Sequence, residues 1–413
     1  MNILLITAYF PPEITGAGHL YFELAKSMVD GGHETTVVTC FPRWHIHEVP
    51  PKYKGKIFMW ETMEGIQVIR VKMPPLPLNI PTVRGIDHFL VAIEFLIGAL
   101  FSGKQDIILI YSPPLTLGVT AFVLGKIRRI PFVFNVQDIF PKYAVDSGVL
   151  KNGFLIRFFE AIERFVYKHA KYISVHSHGN RGYLASRGVP KDKLIVIPNW
   201  VDTDRVRPGD KHNGFREQYN LNGKFVVSYV GTIGYAQDAG TIIKSAALLK
   251  SYEDILFFLV GEGPEKKNLE EKAKNLGLDN VKFAPIQPWE KYLEVLRASD
   301  ISLINLKKEL STPVVPSKTF NIMASGIPIV ASIPLHGDAA RIIEEGRCGI
   351  CVPAGDDEEL ARAILKLYRE SSLKEEMGKN GRNHAVNYYS REACTGEYEE
   401  LFCKAIKEEK KNI

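Results

Sequence analysis

The chain has 413 residues, of which 46% are apolar and 24% charged, and its formal net charge is +5. Those are the proportions of a soluble globular protein, and the length exceeds one ordinary core, so two or three domains are expected. The charge is uneven: residues 1–205 carry 23 Lys and Arg against 17 Asp and Glu, whereas residues 206–413 carry 29 against 30, which leaves the first half to face anything anionic, such as a phospholipid surface.

Met1-Asn-Ile-Leu-Leu-Ile-Thr7 is apolar at once, lacks a basic leader and reads as a buried first strand. A loop containing Gly16-Ala17-Gly18 follows, then a helix marked by Leu20, Leu24 and Met28, then a strand from Glu34 to Cys40. This β-loop-α-β unit is typical of nucleotide-binding α/β folds, but it is not GxGxxG, so the dinucleotide fingerprint fails. Lys56 to Lys72 reads as a hairpin turning at Glu64-Gly65, and Pro74 to Pro81 as a loop. The helix near 83–102 is apolar most of the way round. It is either buried or lies against lipid, and burial is favoured. It falls short of the roughly 18 clean apolar residues of a membrane span.

Strands at 106–111, 131–135, 172–175 and 194–197 then alternate with helices at 115–129, 152–170 and 177–187. Such alternation implies a parallel sheet with helices on both faces. The polar stretch from Asn199 to Gly223 places a domain boundary near residue 205. Asp202-x-Asp204 lies there, and two Asp in a linker are more often caps than metal ligands. A second α/β domain starts at Phe225–Val230 and continues through strands at 255–260, 281–283, 301–304, 327–331 and 349–352. A last helix covers 391–409. Three turns follow strands of this domain: Gly231-Thr-Ile-Gly234, Gly261-Glu-Gly263 and the proline-rich loop before Ser317. All three fall at the carboxyl ends of parallel strands, where open α/β sheets bind ligands. Pro316 bars helix before it, Ser317 suits an N-cap, and Lys318 adds a cation at a helix start suited to phosphate.

The five cysteines are odd in number and scattered, which argues for a reducing compartment rather than a disulfide framework. Cys348-Gly-Ile-Cys351 has metal or redox spacing, but no second pair completes a site and it falls on an expected strand. His45-x-His47 and His176-x-His178 each lack a third ligand nearby in sequence. No metal is expected.

Tyr9-Phe-Pro-Pro-Glu13, Gly31-Gly-His-Glu34, Asp138-Ile-Phe-Pro141, Ile197-Pro-Asn-Trp-Val-Asp202, Gly261-Glu-Gly-Pro264 and Pro316-Ser-Lys-Thr-Phe-Asn-Ile-Met-Ala324 occur in this order along the whole chain. Together they resemble the retaining family-4 glycosyltransferases, in the branch that adds deoxy- or N-acetylamino-sugars to bacterial surface polysaccharides such as lipopolysaccharide or capsule. The resemblance implies the GT-B fold, in which two Rossmann-like α/β domains face across a cleft and the last helix crosses back to the first domain. It implies an acceptor domain over 1–205, a nucleotide-sugar domain over 206–388 and the crossing helix over 389–413. The implied partners are a UDP- or GDP-sugar and a glycan or lipid-linked acceptor, with no nucleic acid and no cofactor. The implied place is the cytoplasm, at the inner face of the plasma membrane where the protein contacts lipid.

On this resemblance Asp138 and Gln137 face the reacting sugar. Thr232, Ser317 and Lys318 bind phosphate oxygens, and Glu262 and Asn321 contact the nucleoside or sugar. Gln237 and Gly261 belong to the same donor site, and Gly16 and Gly18 let backbone approach the diphosphate or acceptor. The chain departs from the family where an Arg and a Lys usually grip the diphosphate, since Thr232 and Gln237 stand there. The usual Glu-x7-Glu falls on Pro313 and Asn321, and a common His on Gln137. Two other functions compete: a sugar-nucleotide epimerase on the same fold, which would convert a donor without an acceptor, and a non-catalytic nucleotide-sugar-binding subunit, which would bind without turnover.

Overall fold

The computed structural model describes residues 1–13, 15–43, 49–76, 81–146, 149–308 and 314–411. His45-x-His47, Thr312 and Pro313 lie outside the described residues. The chain forms two compact units, residues 1–199 with 394–413 and residues 200–393.

The first unit runs β1 (Asn2–Ile6), α1 (Gly16–Asp30), β2 (Glu34–Cys40), β3 (Phe58–Met63), β4 (Ile66–Val71), α2 (Pro81–Leu100), β5 (Ile107–Ser112), α3 (Leu117–Arg128), β6 (Phe132–Val136), α4 (Lys142–Asp146), α5 (Gly153–His169), β7 (Tyr172–Val175), α6 (His178–Ser186) and β8 (Leu194–Val196). Its eight strands lie in the order β3-β4-β2-β1-β5-β6-β7-β8. Every pairing is parallel except β3 with β4, the expected hairpin, whose turn holds Glu64 and Gly65 both at positive φ. Ile3 to Ile6 and Ile107 to Ile110 are buried on both faces. Their unbroken apolar runs are what a strand covered by helices above and below requires.

The second unit runs α7 (Gly214–Gln218), β9 (Phe225–Val230), α8 (Ala239–Leu248), β10 (Ile255–Val260), α9 (Lys266–Asn275), β11 (Val281–Ala284), α10 (Trp289–Arg297), β12 (Ile301–Asn305), α11 (Lys318–Ala324), β13 (Ile329–Ile333), α12 (Asp338–Glu345), β14 (Gly349–Pro353), α13 (Asp357–Arg369) and α14 (Ser371–Tyr388). Its six parallel strands lie in the order β11-β10-β9-β12-β13-β14. The order reverses beside β9, so the turns after β9, β10 and β12 meet at the sheet edge where such folds take ligands. A buried charge cluster braces the opposite end of this sheet. Asp300 pairs with Arg216 at 3.0 Å and with Lys374 at 3.2 Å, and it accepts from Lys211 and from the Val226 N–H. Burial alone would raise the Asp300 carboxyl, but these donors outweigh it and hold the group below its ordinary value.

The final helix, α15 (Arg391–Lys410), joins the first unit from Cys394 onward. Cys394, Tyr398, Leu401, Phe402 and Ala405 form its buried stripe. The crossing-back expected of the last helix is therefore present. His33 bonds Glu399 at 2.9 Å, and the Tyr172 hydroxyl donates to Glu408.

Burial of α2 holds on one side only. Val91, Phe95 and Ala99 pack inward, but Ile86, Ile93 and Ile97 are exposed. An all-round apolar pattern does not say which side is covered, and the neighbours α3, β2 and β4 cover the inner side. Two short helices, α4 and α7, were not expected; five residues are too few to show a helical period.

Candidate active site

The second unit builds one group of the expected residues by packing two glycine turns against each other. The Ile233 N–H donates to the Glu262 carbonyl at 2.9 Å, and the Glu265 N–H donates to the Ile233 carbonyl at 3.2 Å. The turns approach so closely that a Cβ on Gly261 would stand 1.8 Å from the Gly231 carbonyl oxygen. Gly263 sits at φ +156, and a Cβ there would meet the Ile233 carbonyl at 2.3 Å. Only glycine fits either place. Thr232 is left exposed at the tip, and the Tyr229 hydroxyl donates to its carbonyl at 2.7 Å.

Lys318 enters this group from the first turn of α11. Its Nζ lies 3.7 Å from the centre of the Tyr229 ring and beside Gly231. The residue as a whole is half-buried, but the Nζ is closed off from solvent and has no hydrogen-bond partner among the described residues. Burial pushes its pKa down to about 7. The neighbouring Thr319 hydroxyl, and the Asn305 amide at the end of β12, are likewise buried without partners among the described residues. A buried cation and two buried polar groups without partners are uncommon in a folded core, and each calls for an explanation such as a bound ion, a water or a ligand.

The other residues of this group have local partners. Glu262 is exposed and pairs with Lys266 at 2.7 Å. Gln237 folds its Oε1 back over Gly234. Asn321 hydrogen-bonds Tyr292, whose hydroxyl burial pushes up to about 12. Ser317 does not cap α11: it is itself helical, at φ −57 and ψ −28, so its hydroxyl makes no cap bond. Its N-cap signature fails because the turn starts one residue earlier, where the Thr319 N–H donates to the Pro316 carbonyl at 2.9 Å.

The first unit builds the second group around Asn135 at the end of β6. The Asn135 Oδ1 accepts from the Tyr21 hydroxyl at 2.7 Å and from the Gln137 Nε2 at 3.1 Å. Its Nδ2 donates to Ser174 and to Tyr398, each at 2.9 Å. Gln137 and Asn199 exchange paired amide bonds at 3.0 and 2.9 Å. Gln137 is thus fixed on both sides. Asp138 projects outward from the next position, accepting no hydrogen bond from the described residues. The protein around it strips part of its hydration and raises its carboxyl pKa. Tyr9 and Tyr111 face it and are raised as well, chiefly by burial and further by its charge. Gly16 stands in open space at the start of α1, whereas a Cβ on Gly18 would press on the Thr15 hydroxyl that caps the helix.

Gly16, Gly18, Gln137 and Asp138 therefore belong to the first unit, and Thr232, Gln237, Gly261, Glu262, Ser317, Lys318 and Asn321 to the second. Tyr229, Asn305 and Asn135 lie outside the quoted motifs, and Asn199 stood only within the Ile197–Asp202 motif with no role of its own. Three of them carry a signal, a polar residue in the last two positions of a buried strand. Of the other motifs, Asp202 caps its own turn through the Asp204 and Arg205 N–H groups and pairs with Arg391. Cys348 and Cys351 are pushed up to about 12 by burial, as structural thiols are. His176 contacts Asn180.

The model of the group 1 glycosyl transferases matches residues 212–384, and that of the glycosyl transferase 4-like domain matches residues 15–200. The chain belongs to the family-4 glycosyltransferases. This glycosyltransferase is 27% identical over 382 residues to the putative colanic acid biosynthesis glycosyl transferase WcaI of Escherichia coli, covering 88% of this chain and 91% of that one. It is 26% identical over 266 residues to the probable glycosyltransferase WbjE of Pseudomonas aeruginosa, covering 64% and 66%. Its fold matches the crystal structure of Anabaena Alr3699/HepE in complex with UDP, with a TM-score of 0.74 at 17% identity over 98% of this chain and 100% of that one. The architecture is GT-B.

Proposed function

We propose that this glycosyltransferase moves a sugar from a nucleotide-diphosphate donor to a glycan or lipid-linked acceptor in surface polysaccharide synthesis, with retention of anomeric configuration. The observation that carries this is the Lys318 ammonium, buried against Gly231 and Tyr229 without a hydrogen-bond partner among the described residues. An anion of diphosphate size supplies the missing partner, and WcaI, named for colanic acid biosynthesis, supports the polysaccharide context.

Breaking the anomeric C–O bond places negative charge on the leaving diphosphate. Lys318 and the Thr232 and Gly234 N–H groups, unlike those of Gly231 and Ile233 not engaged by strand β10 or the Glu262 turn, stabilise that charge as it grows. Thr232 and Ser317 donate hydroxyls to phosphate oxygens in place of the cations that many relatives carry, while Glu262 and Asn321 bond nucleoside or sugar hydroxyls. Gln137, held by Asn135 and Asn199, and Asp138 face the sugar. The acceptor hydroxyl attacks the same face that the diphosphate leaves, its oxygen forming the new bond while its proton passes to a leaving phosphate oxygen. No metal ion is required by this scheme.

The test is a panel of UDP- and GDP-sugars with glycan and lipid-linked acceptors, the anomeric configuration of the product being read by proton NMR. Transfer with retention is expected, unaffected by a chelator. If no donor is transferred or hydrolysed, the proposal is wrong; an inverted product overturns the stereochemistry alone.

A further inference from the structure

We infer that Arg70, on the hairpin at the edge of the first sheet, is a positioning residue for transfer: it grips the Pro11 carbonyl and so sets Tyr9 beside the Asp138 turn. The inference rests on the proposed place of Gln137 and Asp138 at the reacting sugar. Arg70 lies on β4, opposite Thr39 of β2 and Met59 of β3, and is fully buried. A buried guanidinium is costly unless its donors are met. Its Nε donates to the Glu61 carboxylate on β3, its Nη1 to the Cys40 carbonyl at 3.2 Å and its Nη2 to the Pro11 carbonyl. The Tyr53 ring lies against it, 4.9 Å from the guanidinium to the ring centre. The ion pair with Glu61 stays within the hairpin. The two carbonyls lie elsewhere: Cys40 ends β2, and Pro11 stands in the loop after β1. Both are at the carboxyl ends of parallel strands, the same sheet edge at which Gln137 and Asp138 follow β6.

The sequence of the loop explains why a side chain from another strand holds it. Pro11 and Pro12 have no N–H, so two successive backbone donors are missing. The loop is fastened instead by side chains and by its carbonyl. The Tyr9 N–H donates to the Thr7 hydroxyl at 3.2 Å, the Arg43 N–H donates to the Glu13 carboxylate at 2.7 Å, and Arg70 takes Pro11 between them. Tyr9 carries the position onward. Its ring packs edge-on to Tyr111 at 5.8 Å, and Tyr111 packs edge-on to Tyr21 at 5.0 Å. Tyr21 donates to Asn135, which also holds Gln137. Next to Tyr111, the Ser112 carbonyl accepts from the Gln137 N–H at 3.0 Å. Tyr9 is close enough to Asp138 for that charge to add to the effect of burial on its hydroxyl. Releasing Pro11 would therefore loosen Tyr9 against the groups that face the sugar, although Arg70 touches none of them.

Two variants of the full chain separate positioning from packing. The double variant Glu61→Leu/Arg70→Met replaces the buried pair by apolar side chains, which such sites tolerate, and loses the Pro11 bond. Its melting temperature should stay near that of the wild type. Its kcat for transfer should fall by up to about 10²-fold, as a small misplacement far from the chemistry can cause. UDP affinity by calorimetry should be unchanged, and amide hydrogen exchange in the peptide spanning residues 7–13 should rise. Glu61→Gln removes the counter-charge but keeps the guanidinium on both carbonyls. It should lower the melting temperature while kcat and exchange at 7–13 stay as in the wild type. Should the double variant not fold, Arg70→Lys, which keeps a cation for Glu61 without the fork, is read in the same way. Normal kcat without the guanidinium, unchanged exchange at 7–13, or kcat losses that follow melting temperature across the variants would each overturn the positioning role. The exchange measurement needs no turnover, so the two proposals fail separately. If the wild type transfers no sugar while the exchange pattern holds, the proposed transfer is wrong and the tether stands. If it transfers and the variants turn over alike, only the positioning is wrong.

Discussion

The two groups of candidate residues are built on opposite principles. In the second unit, Lys318, Thr319 and Asn305 have buried polar atoms unmet among the described residues, and two glycine turns pack on each other with Gly231 beside Lys318. In the first unit, every polar atom of the Asn135 side chain has a partner, and Gln137 is locked between Asn135 and Asn199. An unmet buried cation costs stability until an anion arrives. A satisfied network is rigid before any ligand binds. The contrast suits a seat for a charged donor in one unit and a preset surface for a sugar in the other.

The largest break in this contrast is Lys318→Ala. Transfer should fall by about 10²–10³-fold in kcat, the usual loss when one donor to a developing charge is removed. The melting temperature should hold or rise, because the variant no longer buries an unpaired ammonium. Near-normal kinetics would place the phosphate seat elsewhere. Asn135→Leu is the matching break in the first unit. It strands Tyr21, Ser174 and Tyr398 and should lower stability by about 3 kcal/mol in urea unfolding, with UDP affinity unchanged. A weakened UDP affinity would show that the two groups are not separate in function.

A pH titration sharpens the contrast further. Ligand-free Lys318 loses its proton above about 7, whereas a lysine in the unfolded chain keeps it to about 10.4. Between those values the unfolded chain binds the extra proton, so this group makes stability rise with pH. A bound diphosphate restores the charge. UDP affinity measured by calorimetry should therefore weaken by up to about tenfold per pH unit above 7 with proton uptake, and Lys318→Ala should give a flat profile. A flat wild-type profile would sink the linkage. The smallest effect is that of Thr232→Val, a rise in donor KM of roughly threefold, as one exposed hydroxyl contributes little beside a buried cation. A loss matching that of Lys318→Ala would make the turn tip, rather than the lysine, the main anchor.

Much of the architecture was legible beforehand. The apolar runs at Ile3–Ile6 and Phe225–Val230 read as buried strands and Glu64-Gly65 as a hairpin turn, and the structure has all three. Lys318 was legible as a cation after a proline stop. Its isolation was not, because the sequence does not tell whether a lysine meets water or the Tyr229 ring. Ser317 misled for a related reason: a residue type suited to capping says nothing of the φ and ψ it takes. Asn135 lay inside a strand pattern as one more residue, since its partners Tyr21, Ser174 and Tyr398 are distant in sequence.

Local chemistry along the chain thus determined the alternation of strands and helices, the glycine turns after β9 and β10, and the order of family motifs, because period, turn type and motif spacing are written in neighbouring residues. Tertiary structure alone decided three things. It decided that α2 is covered on one side only, that α15 completes the Asn135 network, and that Lys318 is buried against Gly231 with no counter-charge among the described residues. Each depends on which surfaces meet across tens or hundreds of residues, and burial, which sets the charge state of Lys318, exists only once they have met.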